Sequence, residues 1–363
     1  MISRKAKTGC AVVLAALMTL TGLSMKQTYA AAGVDLNAKG SITVLADLSA
    51  NNAAQSPEDV ENFNNMFIPI MLYRVADVDV TGQNYTANEA FKVIAEDLKG
   101  INSDTNADQW LAMAEKAAEK ENLDAAMAKD TPDEPLCFPG KITGGKVEFN
   151  EMTPGMYLVV PEETYNADYT MLYRFTPYLT ALPSSAYTTG TGTEDTWDYD
   201  TEIGLKPETE PQYGDLIVKK RLENYNTTLG AVTCVFRAEG RDAQGQIVYS
   251  EVASTTHKDT TEVEIRFEHI PAGIDVTVTE EYSGASYKPS DDSERSQTVK
   301  IWSKAAVDNG LAVGGAAVKT AELTFKNQYD GGNRGGYGVT NVFENTGAGW
   351  DWTSKPVNPN KEN

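Results

Sequence analysis

Short alternating segments separated by turn residues fill the second half of the chain and constrain its fold most. In each of them, apolar and polar residues alternate with the period of a half-buried β-strand. The segments lie at 215–221, 231–238, 246–252, 261–268, 273–280, 296–302 and 321–327. Short strands at this regular spacing predict an all-β sandwich of the immunoglobulin-like kind over residues 214–330.

In three of these strands, the last residue on the otherwise apolar face is polar. On the first strand, Leu216, Val218 and Lys220 share one face because side chains alternate from side to side. By the same parity, Glu280 and Asn327 end the apolar faces of two later strands. If the three strands are neighbours, a lysine, a glutamate and an asparagine meet in an apolar core. An unpaired ammonium group costs several kcal/mol there, so this arrangement requires a chemical explanation.

Such surroundings favour one particular reaction. Burial lowers the pKa of a lysine and raises that of a carboxyl group, so a neutral amine and a neutral acid can coexist. The amine of Lys220 can then attack the carboxamide of Asn327, while Glu280 polarises the carbonyl and moves protons. Ammonia leaves, and an intramolecular isopeptide bond remains after a single turnover. Two alternatives stay open: a solvated Lys220–Glu280 surface pair, or a one-residue slip that turns Lys219 and Glu281 inward.

The ends of the chain and its charge indicate where the protein works. Residues 1–32 have the pattern of a secretory signal, with a basic start, an apolar run at 10–23 and small residues at 30–32. No second apolar run is long enough to span a bilayer, so no membrane insertion is expected once the signal is removed. The formal net charge of −21 argues against nucleic acid as a partner. We therefore expect a secreted or cell-surface protein.

The first half of the chain predicts a second, mainly β domain over residues 33–206. Two helical insertions are expected in it, at 86–98 and 106–129, where apolar residues recur at helical spacing. A proline-marked linker at 207–213 follows. At the other end, residues 331–363 are rich in glycine and polar residues and are expected to form a poorly ordered tail.

Patterns that would indicate a turnover enzyme are missing from the sequence. Its two histidines, His257 and His269, are expected in solvated loops, and no nucleophile elbow, zinc pair or phosphate loop is visible. Acidic residues are plentiful, so a glycosidase with a carboxylate pair stays open, although no pair stands out. We therefore predict a protein that is not an enzyme and has no cofactor and no metal.

Short motifs in the second domain carry a family resemblance. They are GDLIVKK at 214–220, VTVTE at 276–280 and LTFKN at 323–327. Together they resemble the Cna B-type domains of Gram-positive surface proteins and pilins. The resemblance implies that Lys220 and Asn327 form the isopeptide bond and that Glu280 is the catalytic acid.

The first domain is similar to the N-terminal domain of Gram-positive pilin subunits. The motifs are GSITV at 40–44, LYRVAD at 72–77, TPGMYLVV at 153–160 and TPYLTALP at 176–183. In that family, a sortase joins the next subunit to a lysine nine positions after a tryptophan. Trp197 and Lys206 have this spacing, although the usual Pro-Lys order is reversed. The resemblance implies that Lys206 is the acceptor, with a sortase and other pilin subunits as partners; the alternative is an ordinary linker lysine.

The last residues, 355–363, carry no sorting signal for a sortase. As written, the chain is therefore expected to be a terminal or accessory subunit, a non-covalently held surface protein, or a shortened chain. The combined prediction is a structural protein on the surface or wall of a Gram-positive bacterium. A surface adhesin that binds host matrix or a glycan without polymerising is the alternative.

Overall fold

The computed structural model describes residues 33–46, 63–102, 104–186, 196–205, 207–331, 338–345 and 350–357. The chain divides into two compact units. The first consists of residues 1–166 and 172–210, and the second of 167–171 and 211–363. The predicted signal at 1–32 lies outside the described residues. In the part of the chain that is described, no helix has the length and apolar character needed to cross a bilayer.

The first unit is mainly β with inserted helices, as predicted. Its strands are β1 (Gly40–Ala46), β2 (Ile68–Val78), β3 (Tyr85–Ala87), β4 (Cys137–Ile142), β5 (Lys146–Met152), β6 (Gly155–Pro161), β7 (Thr164–Tyr165), β8 (Met171–Phe175), β9 (Tyr178–Leu182), β10 (Ser184–Ala186), β11 (Thr196–Asp198), β12 (Asp200–Leu205) and β13 (Pro207–Pro211). The largest sheet has the order β3-β2-β6-β9, with β4 also paired to β2, and a second sheet has the order β12-β1-β5. The predicted linker thus contains a strand, β13, which pairs with β8.

The two predicted helical insertions are present, but each is divided into two helices. The first is a 3₁₀ helix (Glu89–Ile94) followed by α1 (Ala95–Lys99), and the second divides into α2 (Ala107–Ala117) and α3 (Lys120–Lys129). A capping box between Asn106 and Gln109 starts α2. Beyond its end, the Asn122 side chain donates a hydrogen bond to the Lys116 carbonyl. Because this bond satisfies a terminal carbonyl, the chain can turn between α2 and α3.

The second unit is a β-sandwich. Its strands are β14 (Tyr213–Leu222), β15 (Val232–Arg241), β16 (Ile247–His257), β17 (Val263–Pro271), β18 (Asp275–Tyr282), β19 (Tyr287–Pro289), β20 (Ser296–Lys300), β21 (Ala312–Val313), β22 (Ala316–Ala317), β23 (Ala321–Tyr329), β24 (Gly338–Asn345) and β25 (Trp350–Val357). Its helices are two 3₁₀ turns, Thr227–Leu229 and Asp292–Arg295, and α4 (Lys304–Asp308). Two four-stranded sheets, β17-β14-β23-β19 and β16-β15-β18-β20, form the sandwich.

The core of the sandwich is filled by the alternate residues that the sequence pattern marked. On β14, the buried positions alternate with less buried ones from Gly214 to Leu222. Phe236 on one sheet meets Phe325 on the other, with ring centroids 5.2 Å apart in an edge-to-face arrangement. The predicted fold class, a mainly β chain with two β domains and helical insertions in the first, is confirmed.

The segment predicted as a poorly ordered tail contains a hairpin in its described residues. Strands β24 and β25 pair antiparallel, with Phe343 opposite Trp352. Val339, Thr340, Val342 and Phe343 are residue types that favour a strand, although the glycines around them favour a flexible segment.

Candidate functional site

The first and last long strands of the sandwich lie side by side. β14 and β23 are parallel neighbours, and Lys220 is in register with Phe325 while Leu222 is in register with Asn327. Lys220 and Asn327 are therefore two positions apart on adjacent strands. Because side chains alternate with period two, both point to the same face, which is the inner face of the sheet.

Glu280 approaches from the opposite sheet. It lies on β18, in register with Phe236 of β15, and it ends the inward-facing positions of that strand. Its Oε1 atom is 2.8 Å from Lys220 Nζ and accepts a hydrogen bond of 2.8 Å from Asn327 Nδ2. One carboxylate oxygen thus contacts both the amine and the amide nitrogen.

All three side chains are shielded from solvent. The exposed fraction is 0% for Lys220, 1% for Glu280 and 0% for Asn327. The alternative of a solvated surface pair is therefore wrong. The alternative of a one-residue slip is wrong as well, because Lys219 and Glu281 point outward, where Lys219 pairs with Glu322 at 2.7 Å and Glu281 pairs with an arginine.

Three polar atoms of this cluster lack a well-formed hydrogen bond. Within the described residues, Lys220 Nζ, Glu280 Oε2 and Asn327 Oδ1 are buried without a hydrogen-bond partner. Nζ lies at ion-pair distance from Oε1, but the angles there do not form a hydrogen bond. Buried polar atoms are nearly always paired in native proteins, so each such atom calls for an explanation. A reaction between the lysine and the asparagine supplies one.

The surroundings favour the neutral amine. Burial lowers the pKa of Lys220 below its ordinary value, and the charge of Glu280 opposes this shift only in part. The Phe236 ring lies over the amine, with 5.8 Å from Nζ to the ring centroid, and Phe325 packs against the same ring. A neutral amine beside an amide in a dry, aromatic pocket is poised for nucleophilic attack.

His257 is a polar member of the core that the sequence did not predict. It was expected in a solvated loop, yet it is 2% exposed and is the last residue of β16. Burial lowers the pKa of His257 below its ordinary value. The alternation of Thr255 and His257, both buried, was a signal for this placement, but the predicted strand stopped at residue 252. His269 is exposed and stacks on Tyr213, with ring centroids 3.7 Å apart.

Comparison with known proteins finds similarity only among solved structures. No protein-family model matches the sequence, and no curated protein matches it. Among solved structures, GBS52, the minor pilin of Streptococcus agalactiae, is 13% identical, with 80% of this chain and 96% of that chain covered and a TM-score of 0.25.

Two further pilins are similar at the same level. The major pilin SpaA of Corynebacterium diphtheriae is 11% identical over 80% of this chain and 100% of that chain, with a TM-score of 0.24. The basal pilin SpaE of Lactobacillus rhamnosus GG is 11% identical over 80% of this chain and 98% of that chain, with a TM-score of 0.28. These neighbours are Gram-positive pilins, the class that the sequence motifs resemble.

The second lysine singled out by the sequence, Lys206, lies outside the described residues. Trp197 is on β11 in the first unit and is half-buried. Its ring packs closely on Gly82, where an added Cβ atom would lie 2.1 Å from the ring. Gly82 also has a positive φ of 72°, so a side chain is disfavoured there for two reasons. A glycine at position 82 thus leaves the space that the Trp197 ring occupies.

Metal ligands do not cluster in the part of the chain that the structure describes. No group of three or more His, Cys, Asp or Glu residues is placed to hold a metal ion there. The two cysteines in this part, Cys137 and Cys234, are free thiols. Cys234 is buried in the sandwich core, as expected for a small apolar residue on a strand. No disulfide therefore links the described residues.

Proposed function

We propose that this protein is a pilin-like structural protein of the Gram-positive cell surface whose second unit is closed by an isopeptide bond between Lys220 and Asn327. The observation that supports this bond is the burial of Lys220, Glu280 and Asn327 around one shared carboxylate oxygen. The bond forms once in each molecule, so the chain modifies itself and has no turnover. Secretion and residence at the cell wall belong to the same proposal.

The reaction requires only atoms of these three side chains. The neutral amine of Lys220 attacks Cγ of Asn327, and a C–N bond forms. Glu280, in its protonated form, gives its proton to Nδ2 as the old C–N bond breaks, and it recovers a proton from Nζ. Both transfers follow the 2.8 Å contacts of Oε1. One ammonia leaves, Glu280 ends as it began, and a secondary amide joins the two strands.

A bond at this position stabilises the unit mainly through the unfolded chain. It closes a loop of about 107 residues between Lys220 and Asn327. If the entropy of loop closure dominates, as in the chain-entropy treatment of disulfides, a cross-link of this span contributes about 4 to 5 kcal/mol. Cys137 and Cys234 are free thiols, so among the described residues this amide takes the place that a disulfide has in many extracellular proteins.

The intact mass of the purified protein tests the bond. One Lys–Asn isopeptide bond lowers the mass by about 17 Da, the mass of the ammonia released by the amine's attack. Lys220→Ala is expected to restore the full mass. Lys219→Ala is the matched control, because Lys219 is the adjacent lysine on the outer face and pairs with Glu322. An unchanged mass in the natural protein, or a deficit that persists in Lys220→Ala, would contradict the bond.

Assembly by a sortase is the second part of the proposal. Lys206 is the proposed acceptor, because it follows Trp197 by the nine positions that pilin subunits use. The acyl donor is a second subunit, and the product is an isopeptide bond between chains.

A further inference from the structure

One long strand of the sandwich has an unpaired side. β16 has 11 residues and is the last strand of the sheet β16-β15-β18-β20, so it pairs with β15 alone. The backbone groups on its other side have no strand partner within the described residues. An unpaired edge of this length is a template for another strand unless the protein protects it.

The outer face of β16 carries no charge. The residues on it are Val248, Ser250, Val252, Ser254 and Thr256. All of them are exposed, and the exposed fraction reaches 44% for Val248 and 55% for Val252. The chain as a whole has a net charge of −21, so an uncharged, partly apolar outer face on an edge strand is unusual for this protein.

The other edges of the sandwich are protected in the usual ways. Natural proteins protect edge strands with charged side chains, proline or short length. β17 exposes Glu264, Arg266 and Glu268, β19 is short and contains Pro289, and β20 exposes Lys300. By contrast, β16 contains no lysine, arginine, proline or glycine. Among the outer strands of these two sheets, β16 is thus the one left available for pairing.

We propose that β16 is a self-association edge on which a second copy of this chain pairs antiparallel, with Val252 on the two-fold axis. Val252 is the midpoint of the strand, so full overlap places it opposite itself. Ser250 then faces Ser254, and the single acidic side chain of the strand, Glu251, faces Ala253. No like charges stand directly opposite one another, and the two Glu251 side chains are diagonal neighbours on the other face, about 7–8 Å apart. An isologous contact of this kind closes at two copies.

The chemistry of the strand selects this partner over others. A basic strand would find no acidic group on the outer face of β16, and an acidic strand would find no basic group there. An identical strand matches valine to valine and serine to serine across the axis, which is the pairing that stabilises neighbouring strands. This association goes beyond the proposed function, because it joins subunits side by side and requires neither the isopeptide bond nor a sortase.

Cysteine cross-linking tests the register directly. In Val252→Cys, the two thiols lie opposite each other with Cα atoms about 5 Å apart, within disulfide range. In Val248→Cys, the two thiols are separated by eight strand positions, roughly 27 Å. Mild oxidation of the full chain is expected to give a covalent dimer from Val252→Cys and none from Val248→Cys. Equal cross-linking of the two variants, or none in either, overturns the proposed register.

Sedimentation of the full chain tests the association itself. The natural protein is expected to form dimers at micromolar concentration. Val252→Lys places two ammonium groups opposite each other at the axis and is expected to raise the dissociation constant at least tenfold, while Lys319→Ala, on an exposed lysine outside β16, leaves it unchanged. A natural protein that stays monomeric up to hundreds of micromolar overturns the proposal and leaves β16 to a different occupant. The isopeptide mass deficit is unaffected by either result.

Discussion

Glu280 reaches across the sandwich to Lys220, with Oε1 2.8 Å from Nζ, although the two residues belong to different sheets. The contact depends on the packing of the sheets and not on any local segment. Substitution of single residues in the site can therefore distinguish two interpretations of the contact: a lysine that reacts with Asn327, and a buried ion pair.

Replacement of Glu280 by glutamine is expected to prevent the bond. Glutamine keeps the size of the side chain but cannot give and recover a proton at Nδ2 and Nζ. The variant should have the full mass calculated from its own sequence, without the loss of about 17 Da that marks the released ammonia, and native circular dichroism. Glu281→Gln is the matched control, since Glu281 points outward to Arg237 and its variant should keep the deficit. A Glu280→Gln chain with the deficit would remove Glu280 from the reaction.

The double variant Lys220→Met/Glu280→Gln distinguishes a covalent bond from an ion pair by the sign of its effect on stability. Replacing a buried ion pair by uncharged residues often leaves the stability of the fold unchanged or raises it by about 1–4 kcal/mol. Loss of the cross-link instead destabilises the second unit by about 4 to 5 kcal/mol. Hydrogen exchange of the β14 and β23 amides measures the free energy of opening in the full chain. A variant as stable as the natural protein would indicate an ion pair.

Lower pH is expected to destabilise the second unit through His257. Burial holds its folded pKa below the ordinary value of 6.5, so on acidification the unfolded chain binds a proton that the folded chain does not. The stability from this residue is complete above about pH 6.5 and falls as the pH drops toward the depressed folded pKa. Urea unfolding between pH 8 and 5 measures the slope.

Two variants identify the histidine responsible for this slope. His257→Gln cannot become charged, so its stability should no longer fall over this range. His269→Gln replaces an exposed imidazole stacked on Tyr213 and should keep the natural slope. If His257→Gln retained the slope of the natural protein, His257 would not be its cause.

Lys206→Ala is expected to stop polymerisation when the chain is expressed with a pilin sortase and a subunit that carries a sorting signal. The acceptor amine is then missing, so the high-mass covalent ladder seen on denaturing gels should disappear. Lys319→Ala removes an exposed lysine of the second unit and should leave the ladder intact. The isopeptide mass deficit should survive in both variants, because Lys220 is untouched.

The three residues of the candidate site could be predicted from the sequence, because side chains alternate between the two faces of a strand and this alternation is visible in any short segment. Lys220, Glu280 and Asn327 each end an apolar face, and each proved to be buried. His257 was missed because β16 runs five residues beyond the predicted strand. Its burial depends on the other sheet, which no local pattern encodes.

The first unit was harder to predict for the same physical reason. β1 pairs in parallel with β12, and Ser41 is in register with Asp200, a contact between distant parts of the chain. The helical period over 106–129 correctly predicts helix, but it does not show the break between α2 and α3, where the Asn122 side chain donates a hydrogen bond to the Lys116 carbonyl. Periodicity predicts the kind of element well, whereas the limits of an element depend on such single contacts.

The parallel pairing of β14 with β23 also decides how the second unit bears tension. A pull on the chain before Tyr213 and after Tyr329 draws the two strands in opposite directions along their length. Their ladder bonds are then loaded in shear, all together, and are not unzipped one at a time. With Lys220 joined to Asn327, the force would pass from the first strand to the last through a single amide. The roughly 107 residues between these positions would then be protected from extension.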